Sequence, residues 1–422
     1  MRMRIAATLE RVASRVEIKL PKFVWLAGLA GAMVAACAAT GPAQQSPAAQ
    51  TETHMPSRAG YLGDSACLDC HRQQSSTYLH TGHHRTSQFA TPESMPASLR
   101  NRPAILSIVD PATASAEPGL YFKIEAKDGS YFESAFTGFG TDLQQRTEKI
   151  DIITGSGRRG QTYLYWESDR LLELPVSYWS DGQRWINSPG YQNGSADFSR
   201  PVNPGCMECH STYVQALSSD PLTNRYDRDS LVPGISCETC HGPGAAHVAK
   251  QKAPGAVQPP AILNPAKFSR DHQVELCALC HNGIQRQETA PAFSYLPGEP
   301  LTNYFKPIPS DSVEHPDVHG NQVGLLERSR CYRESAKMSC STCHDVHKPE
   351  QAAASYSQRC LGCHRPQNCS VVRRLGLKNA GNCIDCHMPV EPTSVIVSET
   401  AGKEVRATMR NHWIKVYPQV RR

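Results

Sequence analysis

Cys340-Ser341-Thr342-Cys343-His344, Cys360-Leu361-Gly362-Cys363-His364 and Cys383-Ile384-Asp385-Cys386-His387 repeat one five-residue pattern within residues 340–387. Outward from that stretch, Cys-x-x-Cys-His recurs at Cys277, Cys280 and His281, at Cys237, Cys240 and His241, and at Cys206, Cys209 and His210. A seventh copy stands far upstream at Cys67, Cys70 and His71. Two thiols three residues apart reach the two vinyl groups of a haem as thioethers, and the adjacent histidine is thereby aimed at the iron. Zinc ribbons also use Cys-x-x-Cys, but zinc does not require a histidine directly after the second cysteine in every copy. With 17 histidines in 422 residues, seven such placements by chance are negligible. A disulfide framework or a thioredoxin-like motif fails on the same ground. The expected cofactor is haem c, in seven covalently attached copies.

Hydrophobic residues are 39% of the chain and aromatics 7%, with 31 prolines and 29 glycines throughout, so the polypeptide alone builds a modest core. Porphyrin supplies the missing apolar surface. The expected fold is mainly short α-helices and loops wrapped around covalent haems, with a β-rich insert between the first and second haem. The formal charge of +5 is no argument for nucleic acid. The first 36 residues carry Arg2, Arg4, Arg11, Arg15, Lys19 and Lys22 against Glu10 and Glu17, and their removal leaves +1. Seven haems then add about 14 propionates, which titrate like ordinary carboxylates.

Phe23 to Ala36 is an apolar run behind Lys19 and Lys22, too short for a comfortable membrane span and suited to a signal-peptide core. It ends in Val34-Ala35-Ala36-Cys37, which resembles the lipobox of bacterial lipoproteins, so Cys37 is the expected lipidation site. The alternative is cleavage at a nearby small residue without lipid. The basic lead is long, and Met3 is one candidate for a later start. Residues 38–58, rich in Ala, Gln, Pro, Ser and Thr, read as a flexible tether. The chain thus divides into a signal at 1–36, a tether at 37–58, a first haem segment at 59–98, the insert at 99–200 and a six-haem part at 201–422. Export places it at the periplasmic or outer-membrane face, anchored through Cys37.

Cys331 and Cys369 belong to no motif, and an oxidising compartment favours a disulfide between them over two unpaired buried thiols. Ten histidines remain after the motifs: His54, His80, His83, His84, His247, His272, His315, His319, His347 and His412. They suffice to give every iron a second imidazole. His247 follows His241 by six residues and His347 follows His344 by three. Neither readily reaches the opposite face of its own haem, so each is expected to ligate a neighbouring one. His83 and His84 are adjacent, and one of them suffices; His315 and His319 pose a similar choice, with His319 preferred. His80 and His272 are weaker candidates, and His54 lies in the tether. Met388 reads as packing.

In the insert, Tyr121 to Ala126 and Tyr131 to Phe136 alternate around Asp128-Gly129, a hairpin signal. Ile150 to Ile153, Thr162 to Trp166 and Leu171 to Tyr178 read as further strands. Gly155-Ser156-Gly157-Arg158-Arg159-Gly160 satisfies G-x-G-x-x-G, but a dinucleotide site needs a helix next. The next residues, Gln161 to Trp166, are strand-like, so the glycines mark a turn.

Cys-His-Gly-Pro-Gly-Ala-Ala-His at 240–247, Cys-His-Asp-Val-His at 343–347 and Cys-Ile-Asp-Cys-His-Met-Pro at 383–389 resemble the bacterial cytochrome c-554-like multihaem family. That family is related to the hydroxylamine oxidoreductase and nitrite reductase group. Arg410-Asn411-His412-Trp413-Ile414 resembles a distal-histidine segment, and Gly157 to Tyr191 resembles the insert of uncharacterised relatives. The likeness spans residues 61 to 414. It implies packed haem pairs, bis-histidine ligation and electron transfer, with His247, His347, His412 and one of His83 or His84 as distal ligands. The Cys-x-x-Cys-Lys site of ammonifying nitrite reductases is missing. The leading expectation is an electron carrier between redox-protein donor and acceptor. A reductase or oxidase of a small nitrogen or sulfur compound at one open iron is the alternative, with no catalytic residues assigned. Self-association into a conductive polymer is a third reading.

Overall fold

The computed structural model describes residues 60–107, 119–191, 194–253, 262–283, 287–306, 314–317, 320–376, 381–400 and 403–417. Cys37, His54, His319 and the signal and tether segments lie outside them.

A β-sandwich forms the largest apolar core. Its strands are β1 (Ser87–Phe89), β2 (Ala104–Ser107), β3 (Tyr121–Lys127), β4 (Ser130–Thr137), β5 (Gln144–Ile150), β6 (Ile152–Thr154), β7 (Gly160–Glu167), β8 (Arg170–Glu173), β9 (Val176–Trp179) and β10 (Arg184–Asn187). One sheet runs β2-β3-β4-β5 and the other β1-β6-β7-β9-β10, with β8 on β7, and all pairs are antiparallel. β5 and β6 are one chain path bent at Asp151, so a single strand passes from sheet to sheet. Alternation then turns Phe122, Ile124, Tyr131, Ile150, Tyr163 and Tyr165 into a shared interior. Asp128 and Gly129 both adopt positive φ (50° and 74°), the geometry of a type I′ hairpin turn. The Gly155–Gly160 segment joins antiparallel β6 and β7 and no helix comes after it, as a turn requires.

Glu133 is buried within this core. One carboxyl oxygen accepts from Val176 N–H at 3.0 Å, and the other has no partner among the described residues. Burial pushes its pKa well above the ordinary value, with the Val176 N–H contact opposing.

The expectation of a mainly helical chain is corrected by the structure: helix and strand are nearly equal, at 29% and 28% of the described residues. The excess lies in hairpins between and after the motifs, β11 (Ser211–Ala216) with β12 (Tyr226–Pro233), β13 (Gln287–Glu288) with β14 (Phe305–Lys306), and β15 (Val390–Thr400) with β16 (Lys403–Arg410). The physical reason is economy of backbone pairing: a short segment that walls a cofactor on one face satisfies its N–H and C=O groups most simply in a two-stranded ladder. The β15–β16 hairpin also docks on the sandwich, where Asn187 N–H donates to Thr400 Oγ1 at 3.0 Å and Ser398 Oγ donates to Asn187 O at 2.8 Å.

Short helices carry the motifs: α1 (Ser65–Leu68), α2 (Arg72–Tyr78), α3 (Pro204–His210), α4 (Cys237–His241), α5 (Ala245–Lys252), α6 (Arg270–His281), α7 (Gln322–Glu327), α8 (Arg330–Glu334), α9 (Ala353–Leu361), α10 (Ser370–Leu375) and α11 (Cys383–His387). None of the described helices is long and apolar enough to cross a membrane. Only small apolar clusters occur here, such as Val274, Ala278, Val323 and Tyr332. The part bearing six motifs therefore has little core of its own.

Candidate haem centres

A helical turn brings residues i and i+3 to one face, so each Cys-x-x-Cys presents both thiols together. Local sequence fixes where each turn begins and ends. Asn203 caps α3 by accepting from Cys206 N–H at 3.1 Å, with Pro204 at the first helical position. Gly242, at φ +71°, stops α4 directly after His241 and redirects the chain toward His247.

Residues of all seven motifs line one continuous cavity of about 4070 Å³. Ordinary small-molecule pockets hold about 300–1,000 Å³. His83, His247, His347 and His412 line it as well. Four ring pairs face one another across it. His71 and His247 lie 6.3 Å apart between ring centres at 27°, His241 and His347 6.2 Å at 25°, and His344 and His412 6.3 Å at 24°. His281 and His83 lie 5.9 Å apart at 79°. A metal held about 2.0–2.1 Å from each imidazole nitrogen sets two ring centres about 6.2–6.4 Å apart. The spacing of the first three pairs therefore fits an iron between the rings, while His83 and His281 stand slightly closer. His247 Nδ1 is buried without a hydrogen-bond partner among the described residues.

The other ring nitrogens are oriented. His241 Nδ1 meets Leu263 O at 2.9 Å, His387 Nδ1 meets Lys415 O at 2.8 Å, and His412 Nδ1 meets Arg410 O at 3.0 Å. His281 Nδ1 lies 3.2 Å from Gln322 Oε1, and His210 Nδ1 lies 3.2 Å from Thr86 Oγ1. A carbonyl on Nδ1 fixes the tautomer and leaves Nε2 free for a metal. Burial pushes His83 and His412 down to about 4, so both rings are neutral, the form that ligates.

The motifs are packed in pairs. The first cysteines of motifs one and three, Cys67 and Cys237, lie beside each other, as do Cys277 and Cys340 of motifs four and five and Cys360 and Cys383 of motifs six and seven. Two carboxylates reinforce the first pair. Asp64 accepts from Cys237 N–H at 2.8 Å, and buried Glu238 accepts from Gly63 N–H at 2.7 Å and Gly244 N–H at 2.8 Å. Sequence reasoning missed Glu238. Its only signal is an acid inside a haem motif.

His84 turns away from the cavity to Asp64 at 3.3 Å, which separates it from His83. His80 meets Arg85 at 2.7 Å, His315 meets Glu391 at 3.2 Å, and His272 lies 3.9 Å from Glu275. None of these four lines the cavity. Among the described residues no imidazole pair is formed at His364 or His387. Cys331 and Cys369, the expected disulfide pair, are not joined in this structure, in which every described cysteine, those of the motifs included, is a thiol. Cys331 interacts with Cys343 and Cys363, whereas Cys369 interacts with Cys383 and Cys386, so the two face different motifs.

A profile of the family described as cytochrome c554 and c-prime matches residues 188–242. The C-type polyheme cytochrome OmcC of Geobacter sulfurreducens is 27% identical over 164 residues, 33% of this chain and 20% of that one. The polyheme cytochrome OmcB of the same organism is 38% identical over 80 residues, 18% of this chain and 9% of OmcB. The chain thus matches a fifth or less of these relatives' length. Among solved structures, the outer cell wall cytochrome OcwA superposes with a TM-score of 0.52 at 16% identity, covering 84% of this chain and 80% of that one. With these matches and repeated haem-attachment motifs around one cavity, the chain is a multihaem c-type cytochrome.

Proposed function

We propose that the chain is an exported electron carrier with seven haems, most of them held by two imidazoles, that passes electrons between redox-protein partners. When bound, each haem supplies an iron that takes up and releases one electron. The observation that carries this reading is the interlocking of the four facing pairs. His247 follows motif three and faces His71, His347 follows motif five and faces His241, and His83 follows motif one and faces His281. A ligand lent by the segment beside one haem to the next keeps neighbouring haems close and rigid. Export is supported by the signal-like segment and by the likeness to an outer cell wall cytochrome. The lipid anchor at Cys37 belongs to the same proposal.

A second reading, reduction or oxidation of a small nitrogen or sulfur compound at an open iron, is favoured by His364 and His387, for which no facing imidazole is found among the described residues. Electron paramagnetic resonance of the oxidised protein, with haem content quantified, separates the readings. Seven haems with only low-spin signals support the carrier. A stoichiometric high-spin haem that shifts on adding nitrite or hydroxylamine replaces it with the enzyme.

A further inference from the structure

Residues 351–384 contain Arg359, Arg365, Arg373, Arg374 and Lys378 and not one Asp or Glu. The whole chain nearly balances, with 44 basic against 39 acidic residues, so this stretch is a local concentration of charge. It surrounds motif six. Arg359 stands in α9, directly before Cys360; Arg365 follows His364; Arg373 and Arg374 lie in the last turn of α10. All four arginines are exposed. None forms an ion pair among the described residues, whereas nearby Arg330 pairs with Glu334 at 2.7 Å and Arg410 with Asp385 at 2.8 Å.

Motif six is also open to solvent at Cys363 and His364, while Cys360 packs on Cys383 and Cys363 interacts with Cys343. A haem held there would lie beside motifs five and seven, and Arg359, Arg365 and Arg374, which line the same cavity while exposed to solvent, would stand at its rim with Arg373 beyond them. Its two propionates would neutralise at most two of these four exposed arginines.

We propose that this face is the docking surface for an acidic electron-transfer protein, with the haem of motif six as the point of exchange. The proposal rests on the electron-transfer reading and names one partner for it. A cationic ring around a solvent-facing redox centre steers an oppositely charged partner and raises its association rate about 10- to 1,000-fold at low ionic strength. A lipid surface fits less well. Membrane-binding segments combine basic residues with an apolar face, and among the described residues none of the exposed large hydrophobic side chains falls within 351–384.

The test uses the full-length haem-loaded protein and two probes in stopped-flow mixing, an acidic flavodoxin and a basic monohaem cytochrome c. Electron exchange with flavodoxin is expected to slow at least ~10-fold from low to high salt. The triple variant Arg365→Gln/Arg373→Gln/Arg374→Gln should lose about the same factor at low salt and flatten the salt dependence, with no slowing toward cytochrome c. Haem content and the oxidised spectrum verify folding, and Arg373→Glu alone serves if the triple variant does not load. Wild-type flavodoxin kinetics in a fully loaded variant overturn the proposal. So does a variant that loses co-sedimentation with phosphatidylglycerol vesicles while flavodoxin kinetics stay unchanged, which reassigns the face to lipid. A loaded wild-type protein that exchanges electrons with neither probe sinks the carrier reading itself.

Discussion

Glu173, at the end of β8, makes a quantitative test of how the sandwich meets the haem cavity. Its Oε2 lies 3.4 Å from Arg200 Nε, and both residues line the cavity near Cys206. Burial raises its pKa from 4.5 to about 7 despite the opposing charge of Arg200. Desolvation wins because the Arg200 side chain is itself 40% exposed, so part of its field is screened by water. The folded state therefore binds this proton more tightly than the unfolded chain. Stability from the group is complete below about pH 4.5 and is lost as pH rises through about 7. At about 1.4 kcal/mol per pKa unit, the loss is about 3 kcal/mol. Glu173→Gln keeps the shape and removes the titration. Urea unfolding followed by fluorescence of Trp166, Trp179 and Trp185, for both proteins across this range, measures the difference. The wild-type protein should fall relative to the variant by about 3 kcal/mol between acid and mildly alkaline pH. A pH-independent difference would refute the argument that burial controls this carboxyl.

His347→Ala and His412→Ala should each convert one low-spin haem to high spin in electron paramagnetic resonance without loss of covalent haem, whereas His272→Ala and His315→Ala should leave the spectrum unchanged. Gly234→Ala places a Cβ 2.0 Å from His84 O at a φ of +70°, so it should cost about 2–4 kcal/mol in thermal or urea unfolding. Arg410 donates to Ile384 O at 3.1 Å, Met388 O at 2.7 Å and Asp385 Oδ1 at 2.8 Å. Arg410→Ala should lower stability by about 1–3 kcal/mol, read by urea unfolding, and disturb the spectra of the haems at His387 and His412 together; Arg410→Lys should restore only part of the loss.

The attachment motifs were legible because their chemistry is local: thiol spacing and an adjacent imidazole are written in five consecutive residues. Facing rings are not local, yet His247 and His347 betrayed themselves by standing just past motifs whose own irons they do not reach. His83 and His84 were indistinguishable in sequence, and the choice depended on Asp64, a residue just ahead of motif one. The sandwich announced itself through alternation and Asp128-Gly129. The hairpins of the haem-bearing part did not, because Pro392 and a register shift between Pro392 and Val397 interrupt the pattern of β15. Cys331 and Cys369 looked like partners only because both were left over. Sequence carries no distance, and the fold sends each to a different motif.

The order in which the facing rings are synthesised bears on how such a protein is made. Every thioether can form as its motif emerges, but the rings facing His71, His241 and His344 belong to later segments, and His412 is almost the last. Covalent loading and completion of the coordination sphere are therefore separate events in time. On the proposed two-imidazole ligation, a chain with every motif filled would still hold the iron at His344 open until the segment after β16 brings His412 to face it, so the β15–β16 hairpin would carry that step of assembly.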